Sequence, residues 1–259
     1  MSLRVAFAAS LVLAVALAGP ALGKTSSRTH GARTWTWSFA ADTLGLPPPN
    51  TTTFGGNWEV TVDSTRANLH GAGTPAAVDT LSADSAAVAA AAAGAASAAA
   101  AQAAAQASAP RVLRQSEVDD GIRYHYIQFK KPVLEDQAAS VRFRILAGDI
   151  DPTAGLMFQV DAKGRNGYIV RVSGETNQLV VHYLIYGKRR DLRFAKIEPL
   201  EPGTWHTLSV ERKGSIMTVS YDGTERLKIR DERYTSGSVG LWTEDDTVVD
   251  FEQLAVSKR

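Results

Sequence analysis

The 259 residues include no cysteine, which excludes a thiolate nucleophile or metal ligand, and the side chains whose spacing suggests chemistry are arginine, histidine, tyrosine and carboxylates. Arg142 and Arg144 stand two positions apart in VRFRI, a spacing that puts both on one face of a strand. In GYIVRV, Arg171 has the opposite parity to Val170 and Val172, and in LVVHYLI, His182 has the opposite parity to Val181 and Tyr183. If these polar faces align, guanidinium forks and an imidazole share a groove with Tyr124 or Tyr126 of RYHYIQFK. A planar guanidinium pairs its N–H groups with hydroxyls or carboxylates, and an aromatic ring covers the C–H face of a ring sugar. Such a groove would take a polyhydroxylated ligand. The competing reading is the solvated side of a half-buried sheet.

Two acidic clusters pose a second question. Asp149 and Asp151 lie in GDIDPTAG, and Glu244, Asp245 and Asp246 lie in GLWTEDD. Grouped carboxylates suit calcium, a hard cation wanting six to eight oxygens, or an acid that cleaves a bond. The simpler alternative is that they cap turns, Asp151 ahead of Pro152 and Asp246 within its loop. Neither cluster has the ligand spacing of a calcium loop, so no metal site is assigned and calcium is the one cofactor left open. His125, His182 and His206 have no His or Asp neighbour at ligand spacing, which argues against zinc. There is no Gly-x-Ser-x-Gly elbow and no phosphate-binding loop. Catalytic residues are left unassigned.

The elements that must hold these side chains read as strands. From Ala138 to Tyr186, apolar residues recur at every second position: Val141, Phe143 and Ile145, then Leu156, Phe158 and Val160, then Leu179, Val181, Tyr183 and Ile185. Gly-rich breaks at Gly148 to Gly155, Lys163 to Gly167 and Gly174 to Asn177 predict four consecutive antiparallel strands. Further strands are expected at Thr34–Phe39, Trp58–Val62, Arg111–Gln115, Arg123–Lys130 and in several runs from Leu192 to Val256. Leu46 to Thr53, with three prolines, reads as a loop, and Gly187 to Arg190 as a basic hairpin turn. The expectation is an all-β sandwich of two antiparallel sheets.

The chain ends and one internal tract have a different composition. Arg4 followed by the apolar run Val5 to Ala18 and the small residues Ala21-Leu22-Gly23 read as a cleaved signal peptide over 1–23, with a polar leader over 24–33. The sandwich spans 34–256, interrupted by a low-complexity, Ala-rich insertion over 71–110. That insertion is too poor in large apolar side chains to dock, and alanine is too weakly hydrophobic for a membrane span. A secreted or periplasmic location follows, with no membrane span after cleavage. Loss of Arg4 would leave 27 basic residues against 27 acidic ones, which gives no pull toward nucleic acid. Asn50-Thr51-Thr52 matches a glycosylation acceptor that matters only in a eukaryotic secretory route.

Three pieces carry a resemblance: AGDIDPTAGLMFQVDAKGRNGYIVRVSG (Ala147 to Gly174), PGTWHTLSVERKGSIMTVSYDG (Pro202 to Gly223) and SGSVGLWTEDDTVVDFEQLAV (Ser236 to Val256). In this order they resemble bacterial exported concanavalin A-like jelly rolls, and within these the group labelled 3-keto-disaccharide hydrolase, or family-16-like glycoside hydrolase. The resemblance implies a concanavalin A-like jelly-roll sandwich that contacts saccharides or a cell-envelope polymer. It also implies hydrolase or lyase activity on (3-keto) disaccharides or glycosides. Family-16 enzymes of the retaining type carry Glu-x-Asp-x-x-Glu on one strand, with carboxyl groups about 5 Å apart. Here Glu117 and Asp119 are followed by Ile122, and Glu244 and Asp246 by Val249. A carbohydrate-binding or envelope-associated module without catalysis is therefore the first expectation. Hydrolysis through Asp149, Asp151, Asp245 or Asp246 is the second, and a structural protein-interaction module is the third.

Overall fold

In the computed structural model of the chain, the period-two pattern becomes strands joined by turns. The structure describes residues 33–63 and 109–259, together with Ser97 and Ala100 between them. The predicted signal peptide, almost all of the leader and almost all of the alanine-rich insertion lie outside the described residues. All other described residues belong to one unit, Ala32–Arg259. In chain order the strands are β1 (Thr34–Trp37), β2 (Thr51–Phe54), β3 (Trp58–Val62), β4 (Arg111–Gln115), β5 (Tyr124–Leu134), β6 (Gln137–Ala147), β7 (Thr153–Val160) and β8 (Gly167–Ser173). They continue as β9 (Gln178–Ile185), β10 (Lys188–Lys196), β11 (His206–Lys213), β12 (Ile216–Tyr221), β13 (Thr224–Arg230), β14 (Gly237–Glu244) and β15 (Val248–Lys258).

Two antiparallel sheets result. One has the order β13-β12-β11-β6-β15-β4-β3, with β1 also paired to β15, and the other has the order β10-β9-β8-β7-β14-β5-β2. Their facing surfaces meet in a continuous core that includes Val141 and Phe143 of β6, Leu156 and Phe158 of β7, Val170 of β8 and Phe251 of β15, all without solvent exposure. Burial of whole apolar side chains of this kind contributes about 1.5–3 kcal/mol each, so a chain without disulfides can rest on this core. Trp37 packs against it, and its ring lies 5.0 Å from that of Phe129. Among the described residues no helix is long and apolar enough to cross a membrane.

Three local expectations are corrected. The strands from Ala138 to Tyr186 are not four in a row: β6 belongs to the eight-stranded sheet, and β7, β8 and β9 to the other. The break after Ala147 is thus a crossing between sheets, and Gly148 makes it with φ of 147°. The proline-containing stretch ends in a strand, because Thr51–Phe54 pairs with Tyr126–Phe129 of β5. Lys188 to Arg190 are not turn residues but the start of β10, which pairs with β9 from Ile185 backwards, leaving Tyr186 and Gly187 to make the turn at φ of 51° and 80°. A further departure concerns burial. β7, β8 and β14 are buried at every position, on both faces, where alternation predicts one wet face.

Candidate functional site

The double burial has a geometric cause. Arg189 of β10 reaches Glu244 of β14, although β9, β8 and β7 lie between those strands. In a flat sheet four strand spacings amount to about 19 Å, farther than these two side chains can span. The outer face of the seven-stranded sheet must therefore be cupped. Its floor is a second apolar cluster, Met157, Val160, Ile169, Leu184 and Trp242, with Tyr124 and Tyr126 packed onto it.

Register explains the aromatic row across this floor. Phe54 pairs with Tyr126, Tyr126 with Trp242, and Trp242 with Gly155, so three rings fall on adjacent strands and stack side by side. Ring centroids are 4.6 Å apart for Phe54 and Tyr126, 5.1 Å for Tyr126 and Trp242, and 4.8 Å for Trp242 and Tyr124. Gly155 ends the row because a Cβ there would lie 3.0 Å from the Arg171 Cβ and 3.2 Å from the Trp242 Cβ. Its lack of a side chain lets the arginine and the tryptophan close over it. Between Phe54, Tyr124, Tyr126 and Trp242 and the loop bearing Glu117 and Arg123 runs an open groove of about 430 Å³.

A charged network borders the rings. The buried Glu244 carboxylate accepts from Trp242 Nε1 at 2.8 Å and from Arg189 Nη1, and lies 3.2 Å from Arg171 Nε. Arg171 also donates through Nη1 to Asp151 Oδ2 at 3.0 Å and to Thr153 Oγ1 at 3.2 Å, and through Nε to His182 Nε2 at 3.1 Å. Since His182 Nε2 accepts, its proton sits on Nδ1 and is donated to Asp191 Oδ1 at 2.8 Å. Burial, followed by the charges of Arg171 and Arg189, pushes the His182 pKa down to about 3 against the opposing pull of Asp191. The imidazole is neutral at physiological pH. Burial opposes the charge of Arg189 as well, but Glu244 outweighs it and holds the guanidinium above its ordinary pKa, with its carbon 5.1 Å over the Tyr124 ring. Polarised donors and acceptors thus sit beside the partly exposed Tyr124 and Tyr126 rings, an arrangement suited to hydroxyl groups on a flat apolar body.

The structure brings Tyr124, Arg171, His182, Asp151 and Glu244 together on this face. It does not bring Arg142 and Arg144 there. Those two project from β6 on the outer face of the opposite sheet, because the chain changes sheets between β6 and β7. Arg144 is buried between Asp63 at 2.6 Å and Asp250 at 2.7 Å, Arg142 pairs with Glu252, and both guanidinium carbons lie within 4.7 Å of the Trp205 ring centroid. The single groove formed by all four polar side chains is replaced by two separate faces. Among the acidic residues, Asp246 caps the loop after β6, accepting from Asp149 N–H at 2.6 Å and from Ile150 N–H. Asp245 accepts from Arg123 N–H at 2.9 Å, and Asp151 also takes Ser173 Oγ at 2.7 Å. Among the described residues no three His, Asp or Glu side chains gather in the way a metal ion needs. Sequence reasoning missed Trp242, although Trp242 and Glu244 share a face by their spacing of two. It also missed Arg189 and Asp191, hidden by the reading of their strand as a turn.

Fold and face together define a concanavalin A-like jelly-roll sandwich with a cupped, ring-lined sheet. No protein-family model and no curated protein matches the chain. Among solved structures the chain is similar to the carbohydrate-binding module CBM66 from Bacillus subtilis, at 17% identity and a TM-score of 0.51, over 56% of this chain and 86% of that one. It is also similar to a Bacillus subtilis protein of unknown function with a galectin-like fold, at 12% identity and a TM-score of 0.46, over 57% and 84%. The metal-free exoplasmic/lumenal domain of VIP36 gives 14% identity and a TM-score of 0.46, over 57% and 80%. Of the family resemblance stated above, these findings bear on the jelly-roll fold and leave the hydrolase label without a matching family.

Proposed function

We propose that this chain is a carbohydrate-binding module that holds a saccharide on the cupped face of its seven-stranded sheet. The observation that carries the reading is the stacked row Phe54–Tyr126–Trp242, with Tyr124 tilted against its end, set against the Arg171–Glu244–Arg189 network. The partly exposed rings of Phe54, Tyr124 and Tyr126, backed by the buried Trp242, take the C–H face of a pyranose or furanose, and the network orders its hydroxyls. Similarity to a carbohydrate-binding module supports the scaffold for this role. An exported location and an envelope polymer as the natural ligand belong to the same proposal. The 3-keto-disaccharide hydrolase activity implied by the resemblance has less support, since Asp151, Asp245 and Asp246 spend carboxylate oxygens on turn caps and an ion pair.

The test is calorimetry and glycan-array binding with the chain and with Tyr124→Ala and Tyr126→Ala. Both tyrosines are partly exposed, so the fold should persist, as circular dichroism would verify. At about 1.4 kcal/mol of lost stacking each, affinity should fall about tenfold per variant. A glycan ligand that binds both variants as tightly as the parent would refute this placement, and release of reducing sugar from a bound disaccharide would reinstate hydrolysis.

A further inference from the structure

A second set of polar groups lies at the other end of the sandwich. Arg212 of β11 points inward in line with Leu208 and Val210 and is only 2% exposed. Its guanidinium carbon is 5.9 Å from the Tyr168 ring centroid, and its Nη1 is buried without a hydrogen-bond partner. Asp231 does not neutralise it: that carboxylate is taken by the Tyr168 hydroxyl at 2.5 Å, by Arg233 N–H at 2.9 Å and by the Arg233 guanidinium. Glu211 and Ala138 are the last pair of the ladder between β11 and β6, and Arg212 and Gln137, each one residue beyond it, share the inward parity of Val210 and Ala139. Gln137 is 1% exposed, and neither of its amide atoms has a partner. Gln159 donates to the Glu135 carbonyl at 2.9 Å, which leaves its own Oε1 buried and unpartnered. Buried polar atoms without partners are rare and costly, and a buried cation is the costliest. Gln159 is tied to this end of the sandwich through Glu135, two residues before Gln137.

Of these three side chains, Arg212 lines a pocket open to solvent. The turns Glu135–Asp136 and Gly214–Ser215, with Glu232 and Thr235, frame a pocket of about 580 Å³ into which Arg212 reaches. We propose that this end pocket is a second ligand site, shaped for a small neutral polyhydroxyl group such as one sugar or polyol residue. Charge selects that class. Three carboxylates at the rim outnumber the single guanidinium, which disfavours phosphate, sulfate or carboxylate ligands, while the guanidinium itself disfavours a metal cation. A hydroxyl does what neither ion can: its oxygen accepts from Arg212 and its hydrogen is donated to Glu135 or Glu232. Asp136 contributes less, because its Oδ1 already accepts from Gly214 N–H at 2.8 Å. The site is separate from the aromatic groove. Tyr124 and Leu134 stand at opposite ends of β5, facing Glu244 and Gly237 of β14, which are seven residues and about 23 Å apart along that strand.

Nitrogen-15 NMR titration of the chain with D-glucose, D-mannitol and sodium sulfate tests the proposal. Glucose or mannitol should give saturable shifts at Gly214, Ser215, Thr235 and the Arg212 Nε–H. These should vanish in Arg212→Leu and weaken at least fivefold in Glu232→Gln, whose altered side chain is exposed and leaves the fold intact. Tyr124→Ala should leave them unchanged, which separates this site from the groove. Saturable shifts with sulfate in place of the polyols would overturn the ligand class. Absence of saturable shifts with every probe, or unchanged affinity in Glu232→Gln, would overturn the site.

Discussion

Replacing Glu244 with glutamine keeps the shape of the side chain and one acceptor oxygen for Trp242 Nε1, and removes the charge that balances Arg171 and Arg189. Glu244 is 3% exposed, so the two guanidinium groups lose their shared partner in a setting that water cannot readily fill. Breaking a buried ion pair from one side costs about 3–5 kcal/mol, and the retained amide places this variant at the lower end, near 3 kcal/mol. For a domain of this size that corresponds to a fall in Tm of about 6–12 °C. Urea unfolding followed by tryptophan fluorescence, with linear extrapolation, measures it directly. The Arg189→Met variant should cost less, about 1–2 kcal/mol, because that side chain is 21% exposed. The double variant Glu244→Gln with Arg189→Met should then be more stable than the sum of the two losses predicts. A Glu244→Gln protein within about 0.5 kcal/mol of the parent, below the ordinary effect of a buried site, would refute the claim that this carboxylate organises the face.

Three further outcomes are expected. His182 is neutral when folded, its pKa held near 3, whereas the unfolded chain takes up the proton near 6.5. Stability from this group is therefore lost as pH falls below 6.5, by about 2 kcal/mol at pH 5, and His182→Asn should flatten that limb in urea melts at pH 6.5 and 5. Arg144→Met should destabilise the fold by about 3 kcal/mol while leaving glycan affinity unchanged, because it takes a buried guanidinium from between Asp63 and Asp250 on the sheet remote from the groove, where Asp250 keeps its pair with Arg114; a loss of affinity in calorimetry would contradict the two-face arrangement. Asp246→Ala should cost about 1–2 kcal/mol for the two backbone N–H groups it caps, and the loss should be the same with calcium or with a chelator in thermal melts.

Parity was enough to place much of the cupped face. The alternation around Arg171 and His182 put both outside the core, and the same rule put Tyr124 and Tyr126 on one side of β5. What alternation does not carry is the third dimension. Gly148 to Pro152 looks the same in one dimension whether the chain folds back beside its neighbour or crosses to the other sheet, and this single ambiguity moved Arg142 and Arg144 onto the wrong face. Curvature was equally hidden. Met157, Ile169 and Trp242 occupy the parity of a wet surface, and they are buried only because the sheet bends far enough for β10 side chains to meet those of β14 and β5. Arg212 and Gln137 lie in strand patterns whose inward positions are otherwise apolar, a local mismatch visible in VERK and DQAA once their pairing is known.

Asp63 and Pro110 form a neck at the end of one sheet. One hydrogen bond, from Asp63 N–H to the Pro110 carbonyl at 2.8 Å, closes the end of the β3–β4 ladder just beyond the pair Val62 and Arg111. The ladder thus fixes the separation of its own two ends. The entropic cost of closing a flexible loop rises by only about 0.6 kcal/mol for each doubling of its length. A sequence joined between Asp63 and Pro110 need only begin and end at that separation, which makes the neck a natural place to graft a reporter or a second module.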